Sequence, residues 1–220
     1  MENFMSIYTR NFGSSWTSRV LMARVLVALA FFLTPTIASA QMASIEQAKG
    51  DITLGSADAP VTLHEYSSLT CPHCANFHKD TLPLIKKEFI DTGKVRMIFH
   101  DFPLDGLAMG ATMIARCSGE RAYDFTDMLF QTQADWRDSQ NPLASLIALA
   151  RFYGLSGEDV KSCVGNQDLL KYVENKRDTA SAQYKIQSTP SFVLNGKLIE
   201  GSQPFENFKE ALDKALAAAN

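Results

Sequence analysis

The sequence lacks the extremes of composition that mark special classes of protein. Of its 220 residues only 12 are glycine and 8 are proline, and we find neither internal repeats nor a low-complexity tract, which excludes collagen-like and solenoid architectures. Lysine and arginine together number 21 against 24 aspartates and glutamates, so a basic surface for nucleic acid is not expected. The composition predicts one ordinary globular domain, or a small domain that carries an insertion.

The N-terminal region has an apolar run, Val25–Leu33, that is too short to span a bilayer comfortably. Three arginines precede this run: Arg10, Arg19 and Arg24. The small residues Ala38–Ala40 follow it, as they do before a cleavage site. This arrangement predicts a cleaved signal peptide over residues 1–40 and a periplasmic location, with an uncleaved N-terminal membrane anchor as the alternative.

Cysteine is scarce, and its four positions lie after the predicted signal peptide: Cys71, Cys74, Cys117 and Cys163. An exported chain enters an oxidising compartment, where disulfides persist. Four cysteines allow three pairings, and their spacing alone does not choose among them.

The segment SSLTCPHCANFH places Cys71 and Cys74 two residues apart. Before them, Val61–Ser68 has the β-rich, mostly apolar character of a strand, and after them apolar residues recur at helical spacing. Lys94–Pro103 then predicts a second strand. The cysteine pair therefore lies at the strand-to-helix turn of a β–α–β unit.

Three kinds of site could use this pair: a reactive dithiol, a structural staple or a metal centre. A structural disulfide is disfavoured because so small a loop constrains the unfolded chain little. A metal would take both cysteines together with His73 or His78, yet the sequence has no second Cys-x-x-Cys to complete the ligand set. Covalent haem is excluded because Ala75, not histidine, follows the second cysteine.

The rest of the chain divides into a helical block and a late return of β character. Residues 107–183 have long segments of helical periodicity, and Asn141–Pro142 has the residue types of a helix cap and first turn. Pro190–Ser202 predicts a β-hairpin with Asn195–Gly196 as its two-residue turn. A last helix is expected from Pro204 onward.

This order of elements, with Cys-Pro-His-Cys at the strand–helix turn and Thr189–Pro190 before the hairpin, resembles the DsbA family of exported thiol–disulfide oxidoreductases. The resemblance covers roughly Asp51 to the C-terminus. It implies an α/β thioredoxin fold with an inserted all-helical domain. The implied divisions are a signal peptide at 1–40, a first thioredoxin-like part at 41–106, the helical insertion at 107–185 and a second thioredoxin-like part at 186–220.

The residues around the pair support a role in disulfide exchange. Cys71 is expected at the helix N-cap with Pro72 at the first helical position, so that the N–H groups of His73 and Cys74 and the helix dipole favour its thiolate. A protonated His73 side chain would add to this effect. The thiolate exists only in the reduced form, so the reduced enzyme is stabilised and passes its disulfide to clients. Cys74 is expected to be the buried resolving thiol.

Two further positions are candidates for roles beside the cysteines. Glu65, in the preceding strand, is expected to accept the proton of Cys74 when that thiol attacks a mixed disulfide; the alternative is a solvent-facing structural carboxylate. The resemblance implies that Thr189–Pro190 forms a cis-proline loop that binds substrate peptide, whereas a trans proline would simply open a strand. Threonine at this place is familiar in the isomerase branch of the family, which leaves the choice between oxidase and isomerase open.

With Cys71 and Cys74 paired as in the family, Cys117 and Cys163 remain, and we expect a structural disulfide between them; two buried free thiols are the alternative. His64 and His100 are expected to be structural.

The resemblance implies no cofactor or metal, newly secreted proteins as substrates, a DsbB-type membrane reoxidant linked to quinone, and a monomer. The competing functions are a disulfide isomerase or reductase, a non-catalytic chaperone or binding module, and a structural surface antigen. Known isomerases carry a separate dimerisation domain, for which the short stretch between Gln41 and the first core strand leaves little room.

Overall fold

The computed structural model describes residues 42–219, and the predicted signal peptide lies outside them. Within this part, five strands form one mixed sheet in the order β1-β3-β2-β4-β5. Strands β2 and β3 are parallel and the other neighbouring pairs are antiparallel. The strands are β1 (Ile52–Leu54), β2 (Val61–Ser67), β3 (Val95–Asp101), β4 (Ser191–Leu194) and β5 (Lys197–Glu200).

Helices surround this sheet. No helix in residues 42–219 combines the length and the apolar character needed to cross a membrane. In chain order the α-helices are α1 (Ile45–Ala48), α2 (Pro72–Asn76), α3 (Leu82–Ile85), α4 (Gly106–Cys117), α5 (Ala122–Gln131), α6 (Gln133–Arg137), α7 (Pro142–Arg151), α8 (Gly157–Val164), α9 (Gln167–Tyr184) and α10 (Phe205–Ala219).

The helix after the cysteines is not a regular α-helix. Helix α2 continues through a π-helical segment, Phe77–Thr81, into α3, and a second π-helical segment, Lys86–Ile90, ends it. Pro83, expected to kink this helix, lies in the first turn of α3, directly after the first π-helical segment. Proline offers no N–H to the carbonyl four residues earlier, so the wider turn occurs where the α-helical bond would be missing.

The six helices α4 to α9 all lie between β3 and β4 in the chain, which confirms the predicted thioredoxin fold with a helical insertion. The domain boundaries themselves remain a prediction. Cys117 of α4 and Cys163 of α8 are joined by a disulfide, with their Cα atoms 6.4 Å apart. The buried Arg116 pairs with Asp101 at the end of β3 and also donates to the carbonyls of Ala48 and Gly50, so it ties α4 to the sheet and to the N-terminal segment.

Strand β2 lies in the middle of the sheet, and this position decides the surroundings of Glu65. Its backbone partners are Phe99 on β3 and Phe192 on β4. Apolar clusters cover both faces: Leu63 belongs to one and Tyr66 to the other. A strand buried on both faces offers its side chains no solvent, and Glu65 is accordingly fully buried.

Candidate active site

Cys71 occupies the N-cap of α2, with extended backbone angles (φ −78°, ψ 119°), and Pro72 follows at the start of the helix. Proline suits this position because the first N–H of a helix has no intrahelical partner. Cys71 is 7% exposed, and its sulfur lies 3.3 Å from the Thr189 carbonyl oxygen. The nucleophile expected from the sequence thus lies at a helix N-terminus, next to the loop before β4.

The surroundings of Cys71 lower its pKa from 9.0 to about 5. The largest cause is the hydrogen bond from the Cys74 thiol; the Thr189 hydroxyl and the backbone N–H groups of Cys74 and His73 add to it, while burial opposes them. All of these donors stabilise a negative sulfur. At neutral pH the reduced protein therefore holds Cys71 as a thiolate.

Cys74 lies one turn further along the helix and is fully buried. Burial, together with the negative sulfur of Cys71, raises the pKa of Cys74 far above its usual range, so it stays a thiol. A thiol must lose its proton before it can attack a disulfide. This pair combines an ionised sulfur at the helix N-terminus with a fully buried, protonated one.

The Thr189–Pro190 peptide bond is cis. The Thr189 hydroxyl lowers the pKa of both cysteines, and its carbonyl faces Cys71. Strand β4, which begins one residue after Pro190, holds this loop against β2.

Glu65 does not contact Cys74 directly. Ser67, two residues along β2, interacts with both: its hydroxyl donates to Glu65 Oε1 at 2.5 Å, and it acts to lower the pKa of Cys74. His78 Nε2 lies 3.0 Å from the same carboxylate oxygen. The predicted proton acceptor is thus connected to the thiol through one intervening hydroxyl.

Two residues of the helical block also hold the active-site turn, and no sequence pattern predicted either of them. The buried Gln133 amide donates to the carbonyls of Leu69 and Cys71, at 2.8 and 2.9 Å. Arg137 donates to the Thr70 carbonyl at 3.3 Å, and its pKa is raised mainly by its hydrogen bond to Asp138, with a smaller contribution from the negative sulfur of Cys71. Both residues lie on α6, more than sixty positions from the turn in sequence.

The other histidines differ in their placement. His73 is exposed on the first turn of α2 and contributes to the low pKa of Cys71 through its backbone N–H. His64 and His100 are hydrogen-bonded to each other at 2.9 Å, and burial lowers the pKa of His100 to about 3. His78, which the sequence suggested only as a metal ligand, lies four residues after Cys74, a spacing that places two side chains on one helix face.

Comparison with known proteins agrees with this geometry. A family model described as Thioredoxin matches residues 47–214. The chain belongs to the DsbA-like thioredoxin family. A Rickettsia typhi relative, named as a protein-disulfide oxidoreductase, is 30% identical over 168 residues, which are 76% of this chain and 62% of the relative. Two further rickettsial relatives are matched over 61% and 60% of their length, so the chain spans about three fifths of these proteins.

Solved structures of DsbA-like proteins share the fold. Wolbachia pipientis alpha-DsbA1 is similar with a TM-score of 0.72 and 29% identity, over 77% of this chain and 92% of that one. BdbD from Bacillus subtilis has a TM-score of 0.69 and 28% identity, over 81% and 97% of the two chains. The family resemblance expected from the sequence is confirmed.

Proposed function

We propose that this protein is an exported dithiol oxidase that introduces disulfide bonds into newly secreted proteins through Cys71 and Cys74. The observation that carries the proposal is the contrast between the two sulfurs. The pKa of Cys71 is lowered to about 5, and that of the fully buried Cys74 is raised. A thiolate stabilised only in the dithiol form favours that form, and a protein that prefers to be reduced oxidises its clients.

Each residue of the site has a step in this reaction. A client thiolate attacks the Cys71 sulfur of the oxidised protein, and Cys74 leaves; a second client thiol then releases the mixed disulfide. During reoxidation Cys74 attacks a mixed disulfide at Cys71, and Glu65 receives its proton through Ser67. The backbone at Thr189 faces Cys71 and is suited to pairing with an extended client segment.

The same proposal implies a cellular compartment and a reoxidising partner. The predicted signal peptide over residues 1–40 supports a periplasmic location, where disulfides form and persist. An oxidase must lose its electrons again after each turnover, so we infer a membrane reoxidant of the DsbB type that passes them to quinone. We expect the protein to act as a monomer.

One observation favours a second candidate. The Thr189 side chain lowers the pKa of both cysteines, and threonine at this place is familiar in the isomerase branch of the family. A non-catalytic binding module, by contrast, has no use for a thiolate at a helix N-terminus.

The test uses the purified protein in three assays. Cys74→Ala should accumulate mixed disulfides with a reduced, unfolded client, Cys71→Ser should form none, and equilibrium with a glutathione buffer should show a potential more oxidising than that of the buffer. The matched control is the double variant Cys117→Ala/Cys163→Ala, which lacks two cysteines yet should still oxidise the client. A potential more reducing than glutathione would favour the reductase reading, and the absence of any mixed disulfide would favour the binding module.

A further inference from the structure

A line of polar side chains runs from Cys74 to the surface through the core. The Ser67 hydroxyl donates to Glu65, and Ser67 is close enough to Cys74 to influence the pKa of that thiol. The His78 ring bridges Glu65 and Asp127, with Nε2 at 3.0 Å and Nδ1 at 2.9 Å from their carboxylate oxygens. The side chains of Glu65 and His78 are fully buried, whereas that of Asp127 is 34% exposed. The line thus connects a buried thiol with solvent.

Apolar rings enclose this line where it passes His78. The imidazole stacks on Phe130 at 4.0 Å and meets Phe77 and Phe99 edge-on. Gln131 donates to the backbone carbonyl of His78, so it leaves the ring nitrogens to the two carboxylates. Between these apolar rings, the imidazole joins the buried Glu65 to the partly exposed Asp127.

We propose that His78 and Asp127 form the outlet of a proton path that begins at Cys74 and passes through Ser67 and Glu65. The inference rests on the proposed dithiol chemistry, and it gives a role to two residues outside the cysteine motif. Both act through Glu65 and are positioning residues that move a proton; neither touches the reacting sulfurs.

During reoxidation, formation of the Cys71–Cys74 disulfide is coupled to the loss of one proton from Cys74. The Cys74 sulfur bonds to the Cys71 sulfur of a mixed disulfide, the bond from Cys71 to the partner sulfur breaks, and the partner leaves as a thiolate with the electron pair. The proton of Cys74 moves to the Ser67 oxygen while the Ser67 hydroxyl proton moves to Glu65. His78 gives its Nδ1 proton to Asp127, which releases it to water.

The buried pair has no net charge before or after this step. It begins as carboxylate and imidazolium and ends as carboxylic acid and neutral imidazole, so no uncompensated charge is left in the core. Glu65 Oε2 has no hydrogen-bond partner in residues 42–219, which leaves the carboxylate free capacity for a proton. When Cys74 is the leaving group, the protons move in the opposite direction.

The titration behaviour of His78 is consistent with this role. Burial lowers its pKa, but Glu65 from β2 and Asp127 from α5 together raise it to about 9, so the ring starts as imidazolium. Protonation of Glu65 removes an opposing charge while burial remains, and the ring then gives up its proton. Tyr123, also on α5, lies near both carboxylates; burial raises its pKa, so it stays a neutral phenol.

The experiment follows the resolution step alone. The reduced protein is mixed with excess oxidised glutathione, quenched in acid, and analysed by mass spectrometry for decay of the Cys71–glutathione mixed disulfide between pH 5 and 9. Asp127→Asn keeps an acceptor for His78 but is a far weaker base. The rate at which this variant resolves the mixed disulfide should fall about tenfold at pH 6 and should approach the wild-type rate near pH 9. The decrease at pH 6 is smaller than a complete loss of acid–base catalysis because Glu65 remains. Formation of the mixed disulfide is the internal control.

Two further variants make the result specific. Asp124→Asn removes an exposed carboxylate three residues earlier on the same helix and should behave as wild type. Asp127→Glu keeps a carboxylate at this position and should therefore show the wild-type pH profile, unlike Asp127→Asn. An unchanged rate in Asp127→Asn, or one lowered equally at every pH, would overturn the proposal. Glutathione reports on Cys74 whether or not the protein oxidises clients, so failure of the client assay is a separate result.

Discussion

Two substitutions of His73 test how the protein holds Cys71 as a thiolate. His73→Ala removes the exposed ring and keeps the backbone N–H, whereas His73→Pro removes both. In the structure His73 lowers the pKa of Cys71 through its N–H, and a side-chain contribution remains a prediction from the sequence. We therefore expect the proline variant to change the site much more than the alanine variant.

The size of the effect follows from the pKa of Cys71, lowered from 9.0 to about 5. Because this pKa is depressed, the stabilisation of the reduced form is complete above pH 9 and is lost as the pH falls through 5. At pH 7 about half of this stabilisation of the reduced form is present. It amounts to roughly 2.7 kcal/mol, or about 60 mV in reduction potential, before screening by solvent reduces it. One hydrogen bond to a charged group contributes about 1.5 kcal/mol. Removing it should raise the pKa of Cys71 by about one and lower the potential by about 30 mV in His73→Pro.

The assay pairs thiolate absorbance against pH with the glutathione equilibrium at pH 7. An alanine variant as strongly affected as the proline variant would show that the ring, and not the N–H, stabilises the Cys71 thiolate. If the pKa rose in His73→Pro while the potential stayed constant, stabilisation of the thiolate would not be the source of oxidising power in this protein.

Three other predictions concern residues behind the active site. Glu65→Gln should slow resolution of the mixed disulfide by about a hundredfold and leave the glutathione equilibrium nearly unchanged; an unaltered resolution rate would make Glu65 structural. Digestion of the non-reduced exported protein should yield a linked Cys117–Cys163 peptide pair by mass spectrometry, and finding both as free thiols would contradict the bridge. Because the pKa of His78 is raised to about 9, its protonated ring stabilises the fold fully below pH 6.5, and this stabilisation is lost as the pH rises through 9. Urea denaturation of the oxidised protein should therefore show a loss of about 3 kcal/mol across this range, and a flat profile would argue against a charged His78.

The sequence by itself determined the parts of this protein that depend on near neighbours in the chain. The Cys-Pro-His-Cys motif predicted an N-capping cysteine with a proline after it, because both preferences arise within one helical turn. Asn195–Gly196 predicted the tight turn between β4 and β5, where both residues have positive φ. Asn141 caps α7 as its residue type suggested. In each case the physical cause lies within a few residues of its effect.

Only the tertiary structure decided which side chains meet behind the cysteines. His78 and Asp127 are 49 positions apart, and Gln133 reaches the Cys71 carbonyl across 62. These contacts depend on how the helical block packs against the sheet, which is a property of the whole core and leaves no periodic pattern in the sequence. The burial of Glu65 lies between the two cases: its strand could be recognised, but its surroundings exist because β3 and β4 pair on either side of it.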